Sequence, residues 1–145
     1  MPARRNDGLG PIPMSDSDVR LTLEWIPGTF ALARYPEDAD IPPWALDSHR
    51  LMSITRTHDA LSIIGPDEEF PFNVKCERGF LALYVIERLD FNLFGIVSRL
   101  SRALADAEIP ILAVSTYDTD IILFRKDKKE AAIKALSSVA DVSRL

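Results

Sequence analysis

The chain has 145 residues, 47% of them hydrophobic, with 17 Lys and Arg against 22 Asp and Glu for a formal net charge of −5. That length and apolar content supply a core for one compact domain or two small, closely packed subdomains. The acidic balance and the lack of a basic cluster exclude a nucleic-acid surface, which needs concentrated Lys and Arg. No apolar run reaches bilayer length, and the single cysteine, Cys76, cannot form an internal disulfide.

Residues 1–18 hold Pro2, Gly8, Gly10, Pro11, Pro13 and Asp18 but no hydrophobic segment after Arg4 and Arg5, which predicts a mobile leader and not a secretory signal. A cytoplasmic protein is expected. Val19 to Trp25 alternates as a strand, Ile26, Pro27 and Gly28 read as a turn, and Thr29 to Tyr35 reads as a second strand. Pro42 to Leu46 suits one short helical turn. A hairpin follows over Met52 to Ile64, and the Gly, Pro and acid-rich Gly65 to Asn73 marks a boundary. Val74 to Glu77 and Phe80 to Glu87 read as strands separated by Arg78 and Gly79. From Leu93 to Ala107 the apolar positions recur at helical spacing, with Ser98, Arg99, Ser101, Arg102 and Asp106 on the other face. A second hairpin spans Leu112 to Phe124. Asp127 with Glu130 has capping-box spacing for a last helix bearing Ala132, Ile133 and Leu136, and Val139 to Val142 reads as a closing strand.

The hairpins resemble one another. MSITRTHDALSII laid on LAVSTYDTDIILF pairs Met52 with Leu112, Ile54 with Val114, Thr55 with Ser115 and Leu61 with Ile121, an offset of 60 positions (112 minus 52). The preceding strands match as GTFALAR on GFLALYV, offset by 51 (79 minus 28). The second half therefore carries about nine extra residues, roughly two and a half helical turns, which fall in the Leu93 helix. The expected organisation is a leader over 1–18, one subdomain over 19–73 and a second over 74–145, two halves with a shared core.

Strand, helix, strand, strand, helix, strand is the split ferredoxin-like pattern. On Leu89 to Phe124, and above all on LAVSTYDTDIILF, the chain resembles the ACT-like domain family. It is similar to small two-part bacterial ACT proteins and to the ACT repeats of cytosolic arginine sensors and aspartate kinases. The resemblance implies an α+β fold of two ferredoxin-like, ACT-type subdomains with antiparallel sheets, the first with a truncated first helix. It also implies ligand-controlled regulation and a homodimer. Two departures stand out. Asp90 is followed by Phe91, Asn92, Leu93 and Phe94 before Gly95, where the family places Pro-Gly sooner, and Glu108 and Pro110 stand where it often has Gly and Asn.

The residues suit a small zwitterion, an amino acid. The first turn of the Leu93 helix offers unpartnered N–H groups and partial positive charge to a carboxylate, and Gly95 lets it approach. Asn92 serves either as N-cap or as a ligand contact, and Phe94 either packs or walls the site. The tip, Ser115 to Asp120, gathers hydroxyls and two carboxylates for an ammonium or guanidinium. The resemblance favours Thr116, Tyr117 and Asp120 as contacts. Asp118 also fits a residue that satisfies the turn backbone, whereas Asp120 opens an apolar run, where a buried acid needs a cation or several donors. One competent site per chain, or a shared one, is expected.

An enzyme is not expected. His49, His58, Asp59, Cys76, Asp118 and Asp120 form no nucleophile elbow, phosphate loop or metal-ligand spacing, so neither metal nor cofactor is implied. Any regulated activity then belongs to a partner protein. The alternative is a dimerisation or interaction module without a metabolite, pairing through sheet edges.

Overall fold

The computed structural model describes residues 20–86 and 95–143. The strands are β1 (Leu21–Pro36), β2 (Ser53–Arg56), β3 (Ala60–Pro66), β4 (Cys76–Val85), β5 (Leu112–Ser115), β6 (Asp120–Arg125) and β7 (Ala140–Val142). The helices are α1 (Pro43–Leu46), α2 (Ile96–Asp106) and α3 (Lys129–Leu136). The result is an α+β fold on one sheet of order β2-β3-β1-β4-β6-β5, antiparallel throughout, with β7 beside β1. The closing strand joins the first strand of the chain in parallel, Leu21 opposite Ala140, and does not pair with β4.

Two expected chain breaks are bulges. Between Ile26 and Phe30 of β1 the ladder to β4 skips register, and Gly28 absorbs the irregularity at φ 97. The strand therefore runs on through Pro27, whose carbonyl accepts from the Arg50 guanidinium at 2.8 Å. Arg78 and Gly79 likewise interrupt nothing: Gly79, at φ 82, lets β4 bulge between the partners of Phe30 and Leu32. A positive φ that glycine tolerates bends a strand without ending it. Asp67 pins this bulge, accepting from Arg78 Nη1 at 2.6 Å and from the Gly79 N–H at 3.0 Å, while Arg78 also donates to the Asp67 carbonyl at 2.8 Å. The bond to Asp67 holds the Arg78 guanidinium above its ordinary pKa.

The register also corrects the repeat. Arg56 faces Leu61 and Ser115 faces Asp120, so the tips are Thr57 to Ala60 and Thr116 to Thr119, an offset of 59 (116 minus 57) and not 60. Phe30 pairs with Pro66 and Phe80 with Arg125, which lie at the same hairpin offset (125 minus 66), so the two strands are equivalent at an offset of 50 (80 minus 30) and not 51. One-residue errors matter because side chains alternate faces along a strand. The counterpart of Asp120 is thus Leu61 and not Ala60.

One face of the sheet packs under α2 and α3 through Leu23, Trp25, Leu83, Val85, Ile122 and Phe124. Ile96, Leu100 and Leu104 recur every four residues and bury the inner stripe of α2, with Ala132 and Leu136 doing so for α3. Each fully buried leucine contributes about 1.5–3 kcal/mol. A separate cluster under α1 gathers Ala31, Ala33, Ala45, Ile63 and Phe70, with the Trp44 ring centre 4.6 Å from that of Phe70 and the ring planes tilted by 52°. Phe30, Phe80, Ala82, Ile121 and Leu123 form a third cluster; on β6 its residues alternate with Ile122 and Phe124, so that strand is buried on both faces.

At the helix ends sequence and structure differ. The last helix does not open at Asp127: Lys126–Lys128 is a 3₁₀ turn, Lys128 is the N-cap of α3, and no side chain caps it, so the Asp127 and Glu130 capping box does not form. The tighter turn moves the helix start past the position from which Asp127 could cap it. At the exit of α2, Glu108 takes the left-handed conformation at φ 60, and the Ile109 N–H bonds the Leu104 carbonyl at 2.9 Å. That is a Schellman ending with glutamate in the usual glycine place.

Two stability predictions follow from these geometries. Glu108→Gly relieves the left-handed strain and raises unfolding free energy by about 0.5–1 kcal/mol in urea titration. Asp67→Ala leaves the Gly79 bulge and Arg78 without their acceptor and lowers the melting temperature by about 2–8 °C.

Candidate functional site

Both hairpin tips are built by one local device, a threonine whose hydroxyl satisfies the turn. Thr116 Oγ1 accepts from the N–H groups of Asp118 and Thr119, at 3.3 and 3.1 Å, and donates to the Thr119 carbonyl at 3.1 Å. Thr57 repeats this on Asp59 and Ala60 at 3.1 and 3.3 Å. The hydroxyl of Thr116 is therefore spent on its own turn, and short Thr and Asp side chains are suited to that work.

The tips differ in what they reach. Thr119 donates its hydroxyl to the Val85 carbonyl at 2.7 Å, tying the second tip to the end of β4. Ala60 has no such group, and the Asp59 carbonyl instead accepts from Arg34 at 3.3 Å. Arg56 donates to the carbonyls of Glu37 and of Ala39, the latter at 2.8 Å, and so straps the first tip to the loop after β1 with this chain's own guanidinium. Its counterpart Ser115 is too short for that and donates to Asp120 Oδ1 at 2.7 Å. The half-buried Asp120 thereby gains one of the donors that its position demands.

Beside the second tip lies a cavity of about 340 Å³ lined by Tyr84, Val85, Ile86, Asp118 and Thr119. Tyr84 donates to Glu24 at 2.8 Å, and this bond raises the phenol above its ordinary value of 10.0. The phenol stays protonated through neutral pH. The stability from its raised pKa is present below about pH 10 and is lost as pH climbs through the folded value. Tyr117 is largely exposed at the tip, at 76%. Gly95 is the N-cap of α2 at φ 84, where a side chain meets backbone strain, and among the described residues a Cβ there would touch nothing within 4 Å. Asn92, Phe94 and the helix start expected at Leu93 lie outside the described residues. The structure thus gathers Thr116, Tyr117, Asp118 and Asp120 on one tip and carries Gly95 at the head of α2.

Tyr84 was not singled out by sequence reasoning, and Thr119 was read only as one of the tip hydroxyls, fit to satisfy its own turn. The signal for Thr119 was there: in the correct register Thr-His-Asp-Ala matches Thr-Tyr-Asp-Thr, and the copies diverge at the second and last positions, the last gaining a hydroxyl. Among the described residues no group of three or more His, Cys, Asp or Glu is placed to hold a metal, and no helix is long and apolar enough to cross a membrane.

An antiparallel sheet with two helices on one face is the architecture of an ACT-like fold. The ACT domain family model matches residues 75–138, and a second model, described as an N-terminal domain, matches residues 28–73. A crystal structure of an Agobacterium tumefaciens protein is 30% identical over 86% of this chain and 93% of its own, at a TM-score of 0.80. The chain belongs to the ACT-like domain family. The likeness extends, as fold alone, to the aspartate kinase of Clostridium acetobutylicum, 9% identical over 88% of this chain and 36% of that one, TM-score 0.62. It extends also to the regulatory subunit of aspartate kinase from Thermus thermophilus, 9% identical over 85% of this chain and 95% of that one, TM-score 0.54. No curated protein matches the sequence.

Thr119→Val keeps the shape and removes the bond to Val85. Faster amide hydrogen exchange at Thr116 to Thr119, with global stability lowered by no more than about 1.5 kcal/mol, is the expected outcome.

Proposed function

We propose that the chain is a regulatory protein that binds an amino acid between the second hairpin tip and the start of α2. In this reading it comprises two ACT-type subdomains, residues 19–73 and 74–145, the first with its first helix cut to the four residues of α1. The ligand carboxylate docks at the head of α2, by Asn92, Phe94 and Gly95, where helix N–H groups lack partners. The ligand cation meets Thr116, Tyr117, Asp118 and Asp120, with the two carboxylates as acceptors. The chain itself is not an enzyme; it works in the cytoplasm as a homodimer and passes its signal to a partner protein.

The observation that carries the reading is the Thr119 to Val85 bond, which holds the acidic tip beside the end of β4 and leaves a cavity there. The first tip is strapped by Arg56 instead, which supports one competent site per chain. A thermal-shift screen of the twenty amino acids tests it. A ligand at about 100 times its Kd adds about 2.7 kcal/mol, a rise of roughly 5–10 °C. Asp120→Ala weakens that response more than Asp118→Ala, because Asp120 is half-buried and oriented by Ser115 whereas the Asp118 side chain is exposed. Equal tolerance of both, with unliganded melting temperatures unchanged, removes the tip from the site.

A module that pairs without a metabolite is the second reading, favoured by one feature: β2 and β5 end the sheet order. Unpaired strand edges template pairing. In that case stability follows protein concentration and ignores all twenty amino acids.

A further inference from the structure

A second cavity, also about 340 Å³, opens at the end of the β5–β6 hairpin opposite its tip. Phe80, Ile111 and Leu112 make its apolar floor, and Arg125, Asp127 and Lys128 its charged rim. Arg125 is committed: its guanidinium lies 4.9 Å from the Phe80 ring centre and pairs with Glu77. Asp127 and Lys128 are exposed, and among the described residues no hydrogen bond or ion pair engages either side chain. Asp127 is also the residue whose capping role does not materialise, since α3 begins beyond it.

The first half shows how the equivalent place is filled. There Arg50 lies 6.0 Å from the Phe30 ring centre, pairs with Glu68 and donates to the Pro27 carbonyl. At the structural offset, Glu68 corresponds to Asp127 (127 minus 59), and Arg50 to Ile109 (109 minus 59). Ile109 is turned into the helix-side core at 4% exposure, so the second half supplies no cation of its own to this acid. It keeps the aromatic floor and the carboxylate, adds a lysine, and leaves the space between them open.

We infer that this cavity is a second binding site, independent of the hairpin tip, for a small zwitterion with an apolar side chain. Its ammonium pairs with Asp127 as Arg50 pairs with Glu68, its carboxylate pairs with Lys128, and its side chain lies on Ile111 and Leu112 beside Phe80. The volume sits at the small end of the roughly 300–1,000 Å³ of ligand cavities, and an apolar floor with few charged groups is their usual make-up.

The probes are L-tryptophan and its singly charged relatives tryptamine and indole-3-propionate, titrated into methyl-labelled full-length protein. Ile111 and Leu112 methyl shifts report this cavity, and Val85 and Ile86 report the tip. Tryptophan is expected to shift Ile111 and Leu112 saturably, with each relative about tenfold weaker or worse. Asp127→Asn and Lys128→Gln each weaken it by about tenfold, without change in melting temperature, because both side chains are exposed and unpaired. Shifts confined to Val85 and Ile86, a relative that binds as tightly as tryptophan, or affinity unchanged in both variants overturns the assignment.

Discussion

Antiparallel pairing of β1 with β4 across Phe30 and Phe80 is the constraint on which everything else rests. These strands lie at the centre of the sheet, and each carries one hairpin on its outer side. Because Phe30 faces Phe80, the pair relates each half to the other and places their tips at opposite ends of the sheet. The N-terminal part of β1 also lies between β4 and β7, so the first strand completes the sheet of the second half. The helix-side core accordingly joins Leu21, Leu23 and Trp25 of β1 to Leu83 and Val85 of β4 and to the inner stripes of α2 and α3.

From that near-symmetric frame the halves diverge by side-chain length at equivalent points. Arg56 straps the first tip to the loop after β1, while Ser115 turns inward to Asp120. Arg50 fills the ground over Phe30, while Ile109 turns to the core and leaves a cavity beside Phe80. At both points the first half bridges with a guanidinium, whereas the second uses the short hydroxyls of Ser115 and Thr119 at its tip and turns Arg125 to Glu77 and Phe80 at the other end.

Much of the fold was legible beforehand. The helical spacing of Leu100 and Leu104, the alternation in the strands and the twin hairpins follow from local periodicity, which side-chain burial then exploits. The short α1 follows from Pro42 and Pro43. The apparent breaks at Pro27 and Gly79 misled because a glycine in a strand reads as a turn until a partner strand holds it as a bulge. Asp127 misled for a similar reason: its spacing to Glu130 suits a cap, but a preceding 3₁₀ turn decides where the helix starts. The repeat was found one position out of register, since apolar matching tolerates a slip that hydrogen-bond ladders do not.

The amino-acid sequence by itself determined the class of fold, the family, the doubling of the hairpin and the chemistry of the acidic tip, because these depend on the order and kind of neighbouring residues. Tertiary structure alone decided that Thr119 reaches Val85, that Asp67 pins the β4 bulge, that β7 joins β1 and that Asp127 faces a cavity. Those contacts join positions 12 to about 120 residues apart, and which distant groups meet is set by how the two halves pack.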